Sequence, residues 1–106
     1  MIYATGISFN KEDDRDLESI VRIKLKSDKD EIWKFKKEPI NGWYPKETIH
    51  DWLEESRKDG FKIKVNIEQY PELEPVEDNG VRYVRSVKDD STKNNLLNLK
   101  VYQEKS

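Results

Sequence analysis

Residues 17–26 read LESIVRIKLK, and the second half of that stretch decides the fold. Val21, Ile23 and Leu25 alternate with Arg22, Lys24 and Lys26, a period of two that sends successive side chains to opposite faces of a strand. One face is apolar and the other wholly basic. Such a strand belongs to a sheet with one side on a core and the other in water. Upstream, Tyr3, Thr5, Ile7 and Phe9 repeat the alternation as a first strand, and the polar, acidic residues 10–16 form the hairpin connection. Downstream, Ser27-Asp28-Lys29-Asp30 is turn chemistry, and residues 31–36 set Trp33 and Phe35 opposite Lys34 and Lys36 as a third strand.

Residues 38–42 (EPING) break the alternation, and Pro45 suits the first position of a helix starting near Tyr44. Ile49, Trp52, Leu53 and Ser56 follow the spacing of a core-facing stripe, with Glu47, Asp51, Glu54, Glu55 and Lys58 outward. Gly60 is the residue expected in the left-handed position that closes the helix. Phe61, Ile63, Val65 and Ile67 then alternate with Lys62, Lys64, Asn66 and Glu68 as a fourth strand. Residues 70–79 hold two prolines and four acidic side chains and read as a surface loop. Residues 80–87 read as a fifth strand with Val81 and Tyr83 inward, and the tail must dock to bury Leu96, Leu97, Leu99 and Val101. The predicted fold class is α+β: an antiparallel sheet of about five strands in the order β-β-β-α-β-β, with one helix packed on one face.

With 106 residues, the chain is the size of one domain. Only 34% of the residues are hydrophobic and 40% are charged, so the core must be thin. Three Trp, five Tyr and three Phe, set within the periodic segments, supply large burial per residue and argue for an ordered chain. There is no Cys, which excludes disulfides, thiolate metal sites and thiol nucleophiles and suits a bacterial or archaeal cytosol. No basic leader is present and no apolar run approaches the roughly 20 residues of a membrane span, so a cytoplasmic protein is expected. Twenty basic and 22 acidic residues leave a net charge of −2. Any electrostatic signal must therefore lie in the arrangement of charge.

Tyr83-x-Arg85-Ser86-x-x-Asp89, followed by Asn94-Asn95-Leu96-x-Asn98-Leu99, resembles the closing signature of a family of small prokaryotic proteins catalogued as domain of unknown function 3892. Lys100 departs from that pattern, where the family often has Pro. The resemblance implies a fold neighbourhood and carries no catalytic residue. On the residues alone, the signature reads as a clasp: residues 89–92 (DDST) are turn formers, the Asn94 and Asn95 amides satisfy backbone groups, and the leucines anchor the segment. The alternative is a small enzyme or ligand-binding protein using a polar site at Tyr83, Arg85, Asp89 and Asn95.

No phosphate-binding loop, nucleophile elbow or calcium loop occurs, and no cofactor or metal is expected. His50, the single histidine, reads as a boundary residue on the flank of the helix stripe. The charge arrangement is more informative. Arg22, Lys24, Lys26, Lys34, Lys36, Lys62 and Lys64 all alternate with core positions, so strands sharing a sheet would share one cationic face. The expected function is a non-enzymatic interaction module with a protein partner, self-association or an anionic polymer on that face, and no membrane. Trp33 and Phe35 alternate away from the face, so a nucleic acid would be met through its phosphates alone.

Overall fold

The alternating stretch becomes β2 (Ile20–Ser27), which pairs antiparallel with β1 (Ile2–Phe9). The computed structural model describes residues 1–12, 14–87 and 94–104, and the fold is α+β. Ile23 and Leu25 are buried while Arg22, Lys24 and Lys26 are exposed, as the alternation requires. In β1 the phase differs from expectation. Ile2 and Ala4 face the core, the register shifts between Ala4 and Gly6, and only then do Ile7 and Phe9 take over. This irregularity slips the pleat by one residue, so Tyr3 and Thr5 lie half-buried, with Tyr3 in register with Lys26 on the outer face.

The expected third strand shrinks to β3 (Lys34–Phe35), which pairs with β4 (Glu38–Pro39) in a two-stranded hairpin outside the main sheet. Trp33 and Phe35 are drawn away by aromatic packing: Phe35 lies 5.0 Å from Trp52, and Trp33 5.3 Å from Phe61. The edge of β2 is taken by β5 (Gly42–Pro45), a segment expected to lead into the helix. The helix α1 (Lys46–Ser56) therefore starts just after the predicted position, once β5 has ended. A 3-10 turn follows, and Gly60 at φ 97° closes it in the left-handed region, as expected.

The helix carries the chain across the sheet to β6 (Ile63–Val65), which runs parallel to β1. Residues 70–79 are not a loop. They contain β7 (Leu73–Asp78), which pairs with β8 (Val81–Ser86) around an Asn79-Gly80 turn with φ of 50° and 81°. Pro75 is tolerated because a two-stranded ribbon leaves each strand one side that needs no N–H donor. In β8 the buried residues are Val84 and Ser86, with Val81 and Tyr83 half-buried. The tail docks, with Leu96 and Leu99 buried and Leu97 half-buried, but Val101, expected inward, is 38% exposed; β9 (Lys100–Gln103) adds parallel to β1 beyond the end of β6.

The main sheet therefore has the order β5-β2-β1-β6, with β9 also against β1. It is mixed and not antiparallel, because both strands reaching the far edge of β1 arrive after crossovers. Helix α1 packs on β7, β8, β2 and β5, so the helix and hairpin form a second layer over the core. This layer explains His50. Read as a boundary residue, it is only 4% exposed, because the hairpin covers the helix flank on which it sits. No helix among the described residues is long and apolar enough to cross a membrane.

Candidate functional site

One face of the main sheet meets the core, and on the other the cations of β2 project together, exposed among the described residues. Lys24 is in register with Trp43 on one side and Gly6 on the other, and Lys26 with Tyr3. Tyr3 is in turn in register with Lys64, and Gly6 with Lys100. Residues in register share a face, which puts Arg22, Lys24, Lys26, Lys64 and Lys100 on one surface. Lys62 follows by alternation and sits 3.6 Å from Glu72. Lys34 and Lys36 do not join them, since they belong to the small hairpin and its turn. Lys100 was not anticipated from the sequence, because its strand was hidden in the tail.

The face also carries aromatic rings, contrary to the expectation that it would lack them. Trp43 and Tyr102 meet edge to face at 5.0 Å and 82°. Their contact is possible because Gly6 offers no side chain beneath the Tyr102 ring. The ammonium of Lys100 lies 5.1 Å and that of Lys24 6.0 Å from the centre of Tyr102, within the range of cation–π attraction. Further along, Tyr3 meets Tyr70 at 5.8 Å. Two shallow hollows flank these rings. One of about 310 Å³ is lined by Arg22, Trp43, Tyr102, Gln103 and Glu104, and one of about 260 Å³ by Tyr3, Thr5, Lys26, Ser27, Asp28 and Asn66.

Two acidic groups near the face are engaged. Glu104 holds Arg22 at 2.9 Å, and Asp28 holds the Met1 ammonium at 2.8 Å, an interaction that lowers the Asp28 pKa. The opposite layer carries exposed charge of both signs, with Glu54, Glu55, Glu77 and Asp78 beside Lys58 and Arg85.

The alternative polar site takes a different form. Tyr83 and Arg85 share a face of β8, but the Arg85 guanidinium donates to Glu74 at 2.6 Å, as a structural pair. Burial, with Glu18 and Asp78 nearby, raises the Tyr83 pKa. Asp89 and the turn segment at 89–92 lie outside the described residues. Asn94 acts as the clasp: its Oδ1 accepts from the Ser86 N–H, the Ser86 hydroxyl and the Leu96 N–H at 3.1, 2.9 and 3.1 Å. His50 has Nδ1 3.2 Å from Asp51, whose carboxylate receives Arg82 at 2.6 and 2.7 Å. Its Nε2 has no hydrogen-bond partner among the described residues, with Glu54 at 3.7 Å. No three His, Asp or Glu side chains among the described residues form a metal-holding group.

Fold and face together define a small α+β protein with an open mixed sheet on which lysines and aromatic rings interleave. The chain belongs to the family described as protein of unknown function DUF3892, which matches residues 19–100. No curated protein and no solved structure matches the chain.

Proposed function

We propose that this chain is a non-enzymatic interaction module that binds an anionic polymer through the outer face of its main sheet. The observation that carries the reading is the convergence on one sheet face of Lys24, Lys26 and Lys100, all exposed, with half-buried Lys64. The lysines of such a face displace the counterions condensed on a polyphosphate, and that release drives binding without sequence readout.

Titration of labelled oligonucleotides at about 50 mM salt, where phosphate contacts are least screened, tests the reading. Affinity should fall with rising salt at a logarithmic slope of roughly −0.7 to −0.9 per neutralised phosphate. Joint reversal of Lys24, Lys26 and Lys64 to Glu should abolish most of the binding while leaving the melting curve nearly unchanged, because these side chains lie outside the core. No binding at low salt would remove the anionic-polymer reading and favour a protein partner or self-association.

A further inference from the structure

We infer that the face takes a single strand of RNA or DNA, with bases stacked on Trp43, beside Tyr102, at one end and on Tyr3 at the other. This rests on the polyanion reading and adds the ligand's form. Cations alone would suit any polyphosphate. Rings standing among those cations ask for something flat as well as something anionic, and in a duplex the flat surfaces are hidden inside the stack.

Trp43 and Tyr102 meet at 82°, so an edge of one ring abuts the other. Both are half-buried, and the exposed part of Trp43 is the surface offered to a third planar group. The adjoining hollow of about 310 Å³ lies at the lower end of small-molecule sites, which begin near ~300 Å³. It suits a base better than a whole cofactor. The ammonium groups of Lys24 and Lys100 stand over the Tyr102 ring, where the phosphate of a base stacked on neighbouring Trp43 would meet them.

The second platform is spaced for the same strand. Trp43 and Tyr3 flank β2 at Lys24 and Lys26 respectively. Two residues along a strand and two strand spacings across put their Cα atoms ~12 Å apart. A few nucleotides of extended chain bridge that span. The direct path between the platforms crosses β2 at Lys24 and Lys26, which would meet the phosphates of the bridging nucleotides. Stacking accepts every base, so discrimination among sequences should be weak.

The test uses the full chain and three probes at about 50 mM salt: an oligo-dT or oligo-U strand, a duplex of equal length, and polyglutamate. Fluorescence anisotropy should rank the single strand at least about tenfold above the duplex, with polyglutamate weaker than both. Trp43→Leu keeps apolar bulk and removes the stacking face. It should weaken the single strand about 5- to 150-fold, the range that removing one stacked base gives, without changing the salt slope. Trp43→Phe should restore most of the affinity, and circular dichroism melts of both variants establish that they fold. If Trp43→Leu unfolds, Tyr102→Leu serves in its place.

Two results would overturn the inference while sparing the polyanion reading: equal affinity for duplex and single strand, or weakened binding on charge reversal with none in Trp43→Leu. Polyglutamate binding as tightly as the oligonucleotide would also overturn it. If no nucleic acid binds at low salt, the polyanion reading falls and takes this inference with it.

Discussion

The Tyr102 ring lies directly over Gly6, so close that a Cβ built on Gly6 would stand 2.8 Å from the ring's Cε1. The two residues belong to strands joined late in the sequence, and their packing fixes the height at which Tyr102 meets Trp43. Gly6 is buried without a side chain of its own; the ring supplies the cover.

Two opposing effects bear on Gly6→Ala. Glycine inside a strand costs about 0.5–1 kcal/mol relative to alanine, whereas overpacking a fitted contact costs about 1–3 kcal/mol. The second is larger here because the ring is braced by Trp43, so Gly6→Ala should destabilise. In a Tyr102→Ala background the obstruction is gone, and the same change should become neutral or stabilising. Urea denaturation of the four proteins in that cycle reads the sign reversal. A like sign in both backgrounds would mean that Tyr102 does not rest on Gly6 in solution.

His50 offers a second check on the layering. At 4% exposure its replacement by alanine opens a void under the β7–β8 hairpin and removes the hydrogen bond to Asp51, so destabilisation by about 2–4 kcal/mol is expected. Glu54→Ala, one turn along at a side chain that is 58% exposed, should stay within about 0.5 kcal/mol. Thermal melts compare the two. Equal, small effects would place the hairpin off the helix.

The Asp51–Arg82 pair gives a pH signature. The hydrogen bonds from Arg82, and then His50, lower the Asp51 pKa below its ordinary 3.8. In the interval between the folded and unfolded values the unfolded chain binds the extra proton, so stability rises with pH there. The contribution is complete above the ordinary value and is lost as pH falls through the lower, folded one. Both side chains are more than 40% exposed, at 42% and 45%, so solvent screens the pair and the effect is small. Acid melts of wild type and Asp51→Asn should differ by a constant amount above about pH 5 and converge toward about pH 2. A gap that widened in acid would reverse the assigned sign.

Alternation was legible wherever a strand had one wet and one dry face, which is why β2, β6 and the inward residues Phe61, Ile63 and Val65 follow from the sequence. The docking of Leu96 and Leu99, and the role of Asn94 at Ser86, also follow from residue chemistry. Long-range pairing did not. Nothing local in Gly42–Pro45 says that it will lie beside β2, and Lys34 and Phe35 alternate well enough to claim the same edge. The β7–β8 hairpin was missed although Asn79-Gly80, a strong turn signal, stands between its strands; acidic residues and prolines in β7 masked the strand. The phase error in β1 has one cause, the slip beside Gly6, and it hid Tyr3 from the outer face. The face was therefore legible in its β2 and β6 lysines and illegible in its rings, which come from β5, β9 and the slipped half of β1.

That division makes the placement of charge testable. The seven cations singled out by alternation divide into Arg22, Lys24, Lys26, Lys62 and Lys64 on the open face, and Lys34 and Lys36 on the separate hairpin. Reversing Lys24 and Lys64 to Glu changes the net charge by the same amount as reversing Lys34 and Lys36 to Glu. Bulk electrostatics would weaken oligonucleotide binding equally in both. Local binding predicts otherwise: the first pair should cut affinity about tenfold or more and flatten the salt dependence by roughly 0.7 for each phosphate no longer neutralised. The second pair lies beyond the sheet and should act only through the screened field, which decays over about 10 Å at 0.1 M salt. Its effect should therefore shrink toward nothing as salt approaches that concentration, with the slope unchanged. Anisotropy titrations of both double variants across about 50 to 200 mM salt separate the cases. If the two curves superimpose, bulk charge and not the open face governs binding.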